Sequence, residues 1–236
     1  MISALCGSAR TALLTGSGTS AESGVPTFRE AQTGLWERFD PQELATPEAF
    51  TRDPALVWDW YAWRRKLVAE ACPNPGHLAI AEMQRLVPNF TLVTQNVDGL
   101  HQEAGSREVI ELHGNIRRTK CSVEDTMVEE YAEAESPPNC PSCGGPLRPD
   151  VVWFGEMLPP GALEAASKAA RGSDVFLSVG TSSLVYPAAA LPFEALENGA
   201  TLVEVNPSKT PLTRHADYTL RGPAGEVLPL LIRELS

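Results

Sequence analysis

Small and polar residues follow four short apolar segments of the chain, each of which has the length of a buried strand. Glycines at such positions let main-chain amides approach a pyrophosphate closely, and a helix N-terminus there adds partial positive charge. Any one of these loops could be an ordinary connection. Together they predict a nucleotide site at one sheet edge, because the carboxyl ends of parallel strands meet there. The predicted binding residues are Gly16, Ser17, Gly18, Thr19, Ser20, Gln95, Asn96, Asp98, Gly180, Thr181, Ser182, Asn206, Pro207 and Ser208.

The first of these loops is the most glycine-rich and comes directly after the segment 11–15. Thr19 and Glu22 have the spacing of a capping box, which predicts that a helix begins at Thr19. Ala21 stands where a dinucleotide-binding fingerprint has its third glycine. Taken alone, the loop therefore fits a plain strand-to-helix turn as well as it fits a phosphate site.

Two histidines are candidates for a general base, His101 and His113. An unperturbed imidazole has a pKa near 6.5 and can accept a proton at cellular pH. A lone histidine at a strand end is more commonly just hydrogen-bonded there. Spacing alone does not choose between His101 and His113.

The charge and the cysteine content narrow the class of protein. The net charge of −11 does not suit binding to the phosphates of nucleic acid, and it favours partners with basic segments. The chain has 5 cysteines, and three of them lie between positions 121 and 143, which is typical of an intracellular metal site and not of a disulfide framework. The longest uncharged run, 175–193, contains Gly180, Pro187 and Pro192, so no membrane span is predicted. We expect a soluble, cytoplasmic protein with no signal peptide.

Apolar strand-like segments alternate with helical patterns along most of the chain. This alternation predicts an α/β fold with a doubly wound parallel sheet of the Rossmann type. We assign that domain to residues 1–34, 89–115 and 153–236. A smaller module would comprise a helical insertion, 35–88, and a cysteine-containing insertion, 116–152. Within the sheet domain, 11–15, 90–94, 108–112, 174–179 and 201–205 are predicted strands, and 187–198 a predicted helix.

Several stretches, in order over nearly the whole chain, resemble the motifs of the sirtuins, the NAD-dependent protein lysine deacylases. They are Gly16–Ser20, Ser23-Gly24-Val25-Pro26-Thr27-Phe28-Arg29, Thr94–Asp98 with Leu100-His101, Leu112-His113-Gly114, Pro149–Glu156, Gly180-Thr181-Ser182 and Asn206-Pro207. One departure is Ser17, where the family usually has alanine; a hydroxymethyl group should be tolerated beside a polar cofactor.

The resemblance implies a role for each matched residue. His113 is the catalytic base and His101 shapes the pocket, while Asn96 and Asp98 hold the nicotinamide end and an ordered water. The loops named above, with Thr27, Phe28 and Arg29, hold the ADP-ribose of NAD. The acyl oxygen attacks the nicotinamide ribose, nicotinamide leaves, and the acyl group ends on ADP-ribose. The acylated protein segment adds as a strand near Val152, Phe154 and Gly155.

Tyr61 and Arg64 indicate which acyl group is removed. With Trp58 they fall at i, i+3 and i+6 of a helical segment, where an amphipathic helix with solvated cations is the ordinary interpretation. They also match the Tyr-x-x-Arg pair of the sirtuin branch that removes succinyl and malonyl groups. An acyl chain that ends in a carboxylate needs a cation, and arginine offers a bidentate one.

The resemblance also implies a structural zinc held by two Cys-x-x-Cys pairs. Cys140 and Cys143 form one pair, but the other reads Cys121-Ser-Val-Glu124. Zinc accepts carboxylate oxygen, so Glu124 could complete the set with Cys121, Cys140 and Cys143. Asp125 could serve instead, or the module could be free of metal.

Two other functions use the same residues. A protein ADP-ribosyl transferase would use the same cofactor pocket, and a non-catalytic sensor would only bind NAD or ADP-ribose. The presence of Asn96, Asp98 and His113 favours an active deacylase.

Overall fold

The main sheet has six parallel strands, and the computed structural model describes residues 2–26, 40–132 and 135–235. Its strands are β1 (Thr11–Thr15), β2 (Phe90–Thr94), β3 (Ile110–Glu111), β6 (Val175–Val179), β7 (Thr201–Val205) and β8 (Tyr218–Leu220); between them in the chain, β4 (Gly114–Cys121) and β5 (Leu147–Val151) pair antiparallel in a second sheet. The order across the main sheet is β3-β2-β1-β6-β7-β8. The predicted doubly wound α/β fold is therefore confirmed, and the order reverses between β1 and β6.

Helices cover both faces of this sheet. The described helices are α1 (Ile2–Gly7), α2 (Pro41–Leu44), α3 (Pro47–Arg52), α4 (Pro54–Glu70), α5 (Pro75–Leu86), α6 (Leu100–Glu103), α7 (Pro160–Gly172), α8 (Leu191–Glu197) and α9 (Ala224–Leu235). On one face, Leu13 and Leu177 pack with residues of α5 and α9 such as Ile80 and Leu228. On the other, β-strand residues such as Phe176 pack with α7 and α8. Burial on both faces explains why the strands are apolar throughout and do not alternate.

The small antiparallel sheet has a core of its own with α3 and α4. Trp60, Tyr61 and Val57 of α4 are buried with Ile116 of β4 and Trp153, which follows β5. The chain enters this region through two well-capped helices: the Thr46 side chain accepts from Ala49 N, and Asp53 accepts from Leu56 N. The division into two domains at the predicted boundaries stays a prediction. Among the described residues, no helix is both long enough and apolar enough to cross a membrane.

The predicted capping box at Thr19 is wrong. Residues 17–19 and 21–23 form two single 3-10 turns, and neither has a side-chain cap. The Thr19 hydroxyl donates to Val179 O, and the Glu22 carboxylate accepts from Gly225 N at 2.7 Å. Both side chains are thus used by contacts with elements far along the chain.

Two predicted elements are shorter than expected. The segment 108–112 contributes only Ile110 and Glu111 to β3, and Glu108 has a positive φ of 51°. The predicted helix 187–198 is a 3-10 turn at 188–190 followed by α8. Pro192 lies in the first turn of α8, where a missing N–H costs no hydrogen bond.

Candidate active site

The loops after β1 and β6 pack backbone against backbone where the strand order reverses. Gly18 N donates to Gly180 O over 2.8 Å. A Cβ on Gly18 would lie 2.7 Å from that oxygen, and a Cβ on Gly180 would lie 2.5 Å from Thr19 N. Gly180 also has a φ of +61°. Side chains at these positions would push the two loops apart, so the glycines close the edge of the sheet on which a ligand would rest.

The main-chain amides of residues 16–20 are only partly available to a ligand. Gly16 and Gly18 donate to carbonyls of the β6 end, and Thr19 and Ser20 donate within their own 3-10 turns. Within the described part of the chain, Ser17 N has no main-chain acceptor, and Ser17 is exposed. The glycines thus allow the two loops to approach closely, and Ser17 provides the main-chain amide that is available to a ligand.

The other two loops join the first pair through one side-chain bond and one main-chain bond. Asn206 Nδ2 donates to Thr181 O at 2.8 Å, and Gln95 N donates to Thr15 O at 3.0 Å. Pro207 and Ser208 are exposed beyond β7, and Ser182 is half-buried beyond β6. The structure therefore brings the four predicted loops to one edge. Thr27, Phe28 and Arg29 lie outside the described residues.

An ion pair between the buried Glu204 and the exposed Arg221 holds the loop after β7, and sequence reasoning missed it. Glu204 is 1% exposed and accepts from Arg221 Nη2 at 3.0 Å. Arg221 also donates to Asn206 O at 3.3 Å and to Ser208 O at 2.8 Å. The signal in the sequence was Glu204, the single carboxylate in the apolar segment 201–205. A buried charged group is almost always paired, so a partner was to be expected.

Asn96 and Asp98 lie in the loop after β2. Asn96 Nδ2 donates to Ser20 Oγ at 3.1 Å, which links the loop after β2 to the glycine-rich loop. Asp98 is 4% exposed, and its Oδ1 accepts from Leu100 N at 2.9 Å. Arg117 Nε donates to Asp98 O at 2.8 Å. Both side chains are therefore held in fixed positions.

His101 is buried and cannot serve as a base from its observed position. The Thr15 hydroxyl donates to Thr94, so the remaining bond between Thr15 Oγ1 and His101 Nε2, at 2.9 Å, has the ring as donor. His101 Nδ1 is buried without a partner in the described chain. Burial lowers the pKa of His101 to about 3, with the neighbouring His77 adding to the shift. The ring is therefore neutral and structural.

His77 is a second residue that sequence reasoning missed. Its Nδ1 accepts from Asn74 N at 3.3 Å, so its Nε2 carries the proton and lies 3.3 Å from Ser20 Oγ. Asn74 caps α5 and also donates to Thr19 O. The signal was Asn74 before Pro75, the pattern of a helix start. Ser20 Oγ thus accepts from both Asn96 and His77, which leaves its own proton for a ligand.

His113 is half-buried and differs from His101 in what its ring nitrogens contact. Its Nδ1 lies 2.9 Å from Gln95 O and donates to it, because a carbonyl only accepts. The neutral ring then has its acceptor at Nε2. Burial lowers the pKa of His113 below its usual value, and the bond to Gln95 opposes the shift. This is the arrangement of a neutral imidazole that can take up a proton.

The segment after β5 is tied directly to His113. Val152 N donates to His113 O at 2.9 Å, and Phe154 N donates to Ala45 O at 2.9 Å. Trp153 N and Glu156 N are bonded within the segment as well. Gly155 is in the left-handed region and Phe154 is 43% exposed. Of the N–H groups at 152–156, Gly155 alone has no bond to a described residue.

Tyr61 and Arg64 lie one turn apart on α4, and Tyr61 packs against this segment. Tyr61 is 2% exposed and its hydroxyl accepts from Trp153 Nε1 at 3.0 Å. Burial raises the pKa of Tyr61 to about 12 despite the nearby Arg64. Burial lowers the pKa of the Arg64 guanidinium, which remains a cation, and its carbon lies 5.1 Å from the centre of the Trp60 ring. Trp58 instead packs in a separate cluster with Cys121 and Cys140.

Three thiols and one carboxylate converge at the far end of the small sheet. One ligand atom from each lies within 4.8 Å of the others, in the set Cys121, Glu124, Cys140 and Cys143. The amides of Val123 and Glu124 donate to Cys121 Sγ over 3.4 Å. Asp125 is not part of the cluster, because it pairs with Lys120 Nζ at 2.6 Å. The donor set fits tetrahedral zinc with Glu124 in the fourth position.

The cluster leads to a prediction about metal affinity. Glu124→Ala should weaken zinc binding at least about tenfold, because even the loss of a partner outside the ligand shell costs that much. Asp125→Ala is the matched control and should leave affinity unchanged. Zinc content of untagged protein and competition with a coloured chelator measure both, and chelation should lower the unfolding temperature. Wild-type protein that contains no zinc would contradict the site.

Comparisons with known proteins agree on one family. A sequence model of the Sir2 family matches residues 16–187. An NAD-dependent protein deacylase of Aquifex aeolicus is 58% identical over 206 residues, which cover 86% of this chain and 86% of the relative. NAD-dependent protein deacylase 1 of Pseudomonas aeruginosa is 50% identical over 242 residues, 99% of this chain and 97% of the relative.

Solved structures match over nearly the whole chain. A Sir2 homologue in complex with NAD has a TM-score of 0.92 and 49% identity, with 99% of this chain and 92% of that chain covered. A triply substituted Sir2 homologue with bound 2′-O-acetyl ADP-ribose also has a TM-score of 0.92 and 49% identity, over 99% of this chain and 94% of that one.

Proposed function

The chain belongs to the Sir2 family, and on that premise we propose that it is an NAD-dependent protein lysine deacylase that removes succinyl and malonyl groups, with acetyl groups as further substrates. The observation that carries the acyl preference is the pair of Tyr61 and Arg64, one turn apart on α4, with Tyr61 buried and bonded to Trp153 and Arg64 half-buried. The relatives named as protein deacylases support the reaction class. Their names do not state which acyl group is removed, so the proposed preference rests on Tyr61 and Arg64.

The four loops at the sheet edge suit the ADP-ribose part of NAD. The glycines let the loops after β1 and β6 pack closely, and Ser17 N is available there as a donor to a pyrophosphate. Asn206 and Ser208, held by the pair of Glu204 and Arg221, lie where an adenosine would follow the strand ends. When bound, NAD supplies the ribose carbon that accepts the acyl oxygen as nicotinamide leaves.

Asn96, Asp98 and Ser20 are the groups we assign to the nicotinamide end. The Ser20 proton is available to a ligand because its oxygen accepts from Asn96 and His77. An uncharged acyl oxygen is a weak nucleophile, so much of the rate must come from holding both substrates in reactive positions. The fixed geometry of this loop is suited to that role.

His113 is the group we assign to proton transfer. Its Nδ1 is bound to Gln95 O, so Nε2 can remove a proton from a ribose hydroxyl. The bond from Val152 to His113 O places the segment 152–155 beside this base. An acylated peptide added along that segment, through Gly155 N and nearby carbonyls, would bring its lysine close to His113.

We assign Tyr61 and Arg64 to the acyl pocket, the place where an acyl chain that ends in a carboxylate would bind. Arg64 supplies a cation in a half-buried place, where a charge-assisted hydrogen bond is stronger than in water. Tyr61 keeps its proton because its pKa is raised to about 12, so it can only donate to a carboxylate, not repel it. A shorter acetyl group would leave both groups without this partner.

The test of the function is the fate of matched acetyl-lysine and succinyl-lysine peptides, followed by mass spectrometry with and without NAD. We expect NAD-dependent loss of both groups, with succinyl loss faster, and transfer of the acyl group to ADP-ribose. Acetyl loss alone would retain the family activity and contradict the preference. Nicotinamide release without deacylation would indicate a protein ADP-ribosyl transferase, and NAD binding without turnover would indicate a sensor.

A further inference from the structure

The hydroxyl of Tyr61 is buried with one of its hydrogen-bonding functions unused. Trp153 Nε1 donates to it at 3.0 Å, and both side chains are 2% exposed. An indole N–H only donates, so the phenol oxygen is the acceptor and the phenol proton must point elsewhere. In the described parts of the chain, that proton has no acceptor. A buried donor without a partner is costly, which points to an acceptor supplied by a ligand.

The ring of Trp153 is held in place from several sides. The Arg148 guanidinium carbon lies 3.3 Å from the centre of the ring, and Phe50 packs with its centroid 5.2 Å away. Arg148 is itself bound to both carboxylate oxygens of Glu156, at 2.6 and 2.9 Å. Glu156 also accepts from Trp153 N at 2.8 Å. The indole N–H therefore has little freedom to turn away from Tyr61.

These contacts also distinguish Arg148 from Arg64. Arg148 is 7% exposed and its charge is matched by Glu156. A second carboxylate arriving from a substrate would gain little from it. Selection of an acyl carboxylate is therefore not assigned to Arg148.

We propose that Trp153 is a specificity-determining residue that acts through Tyr61. By donating to the phenol oxygen, the indole N–H directs the phenol proton into the acyl pocket, toward the terminal carboxylate of a succinyl or malonyl group. This inference rests on the proposed acyl preference. An acetyl group has no terminal acceptor, so its removal does not depend on where the phenol proton points.

The experiment is a double-mutant cycle in Trp153→Phe and Tyr61→Phe, with succinyl and acetyl peptides measured side by side. Phenylalanine keeps an aromatic ring under Arg148 but has no N–H. We expect kcat/KM for succinyl-lysine to fall about tenfold, equivalent to about 1.4 kcal/mol, with acetyl-lysine changed less than about twofold. In the Tyr61→Phe background, Trp153→Phe should cause no further succinyl loss, which a purely structural role would not produce.

Trp58→Phe is the matched control, since that ring lies on α4 but packs against Tyr131 and the cysteine module. If Trp153→Phe does not fold, benzothienylalanine at 153 keeps the shape of tryptophan and removes only the N–H. Equal losses for both acyl groups, no loss, or additive losses in the cycle would overturn the inference. A wild-type protein that leaves succinyl-lysine intact would overturn the proposed preference and this inference with it.

Discussion

Replacing His113 by alanine is expected to lower the rate of NAD-dependent deacylation by about 10²–10⁴-fold, the range that general bases contribute. The expectation rests on the ring nitrogens: Nδ1 is bound to Gln95 O, and Nε2 remains as the acceptor. No other described histidine offers this arrangement at the edge, because His77 and His101 are fully buried and the Nε2 of His215 accepts from Arg214. Single-turnover measurements on an acyl-lysine peptide would report the chemical step.

The pH dependence gives an independent check on His113. Burial lowers its pKa below the ordinary 6.5, so the ring is neutral and competent at and above that pH. We expect kcat/KM to be level above pH 6.5 and to fall only in more acid solution, as the ring takes up a proton. Unchanged ADP-ribose affinity and an unchanged unfolding temperature are the controls in the alanine variant. Retention of more than a tenth of the wild-type rate would assign the base elsewhere.

Replacing Arg64 by methionine is expected to lower kcat/KM for succinyl-lysine by about 10–100-fold, the value of a hydrogen bond to a charged group. Methionine keeps the length of the apolar stem, which preserves packing beside Trp60. Acetyl-lysine should be removed at nearly the wild-type rate, since it has no carboxylate to lose a partner. The ratio of the two efficiencies is therefore the quantity to measure.

Lys66→Met is the matched control for this prediction. It removes the same charge from the same helix at an exposed position, so it reproduces any change in long-range attraction of a substrate. Arg65 is a poor control, because it donates to Ile116 O at 2.6 Å and to Arg118 O at 3.0 Å. Equal succinyl activity in Arg64→Met and Lys66→Met would show that Arg64 does not recognise the carboxylate of the succinyl group.

The sequence by itself determined five of the six strands of the main sheet, and β8 was not predicted. The strand segments 11–15, 90–94 and 201–205 have the predicted bounds, because a short apolar run followed by a small or polar residue is a local signal. The helix starts at Thr46 and Asp53 are local in the same way, since a cap and its amide are three residues apart. The family motifs then identified most of the residues at the sheet edge.

The tertiary structure alone decided which partners those residues have. Thr19 and Glu22 match a capping box, yet they bind Val179 and Gly225. His101 and His113 are alike by spacing and differ because one ring meets Thr15 and the other Gln95. Glu124 and Asp125 are adjacent, and only Glu124 reaches the thiols. Spacing indicates which residues share a helix or strand. The hydrogen bond from Trp153 to Tyr61 spans 92 positions, so it forms only once α4 has packed against the segment after β5.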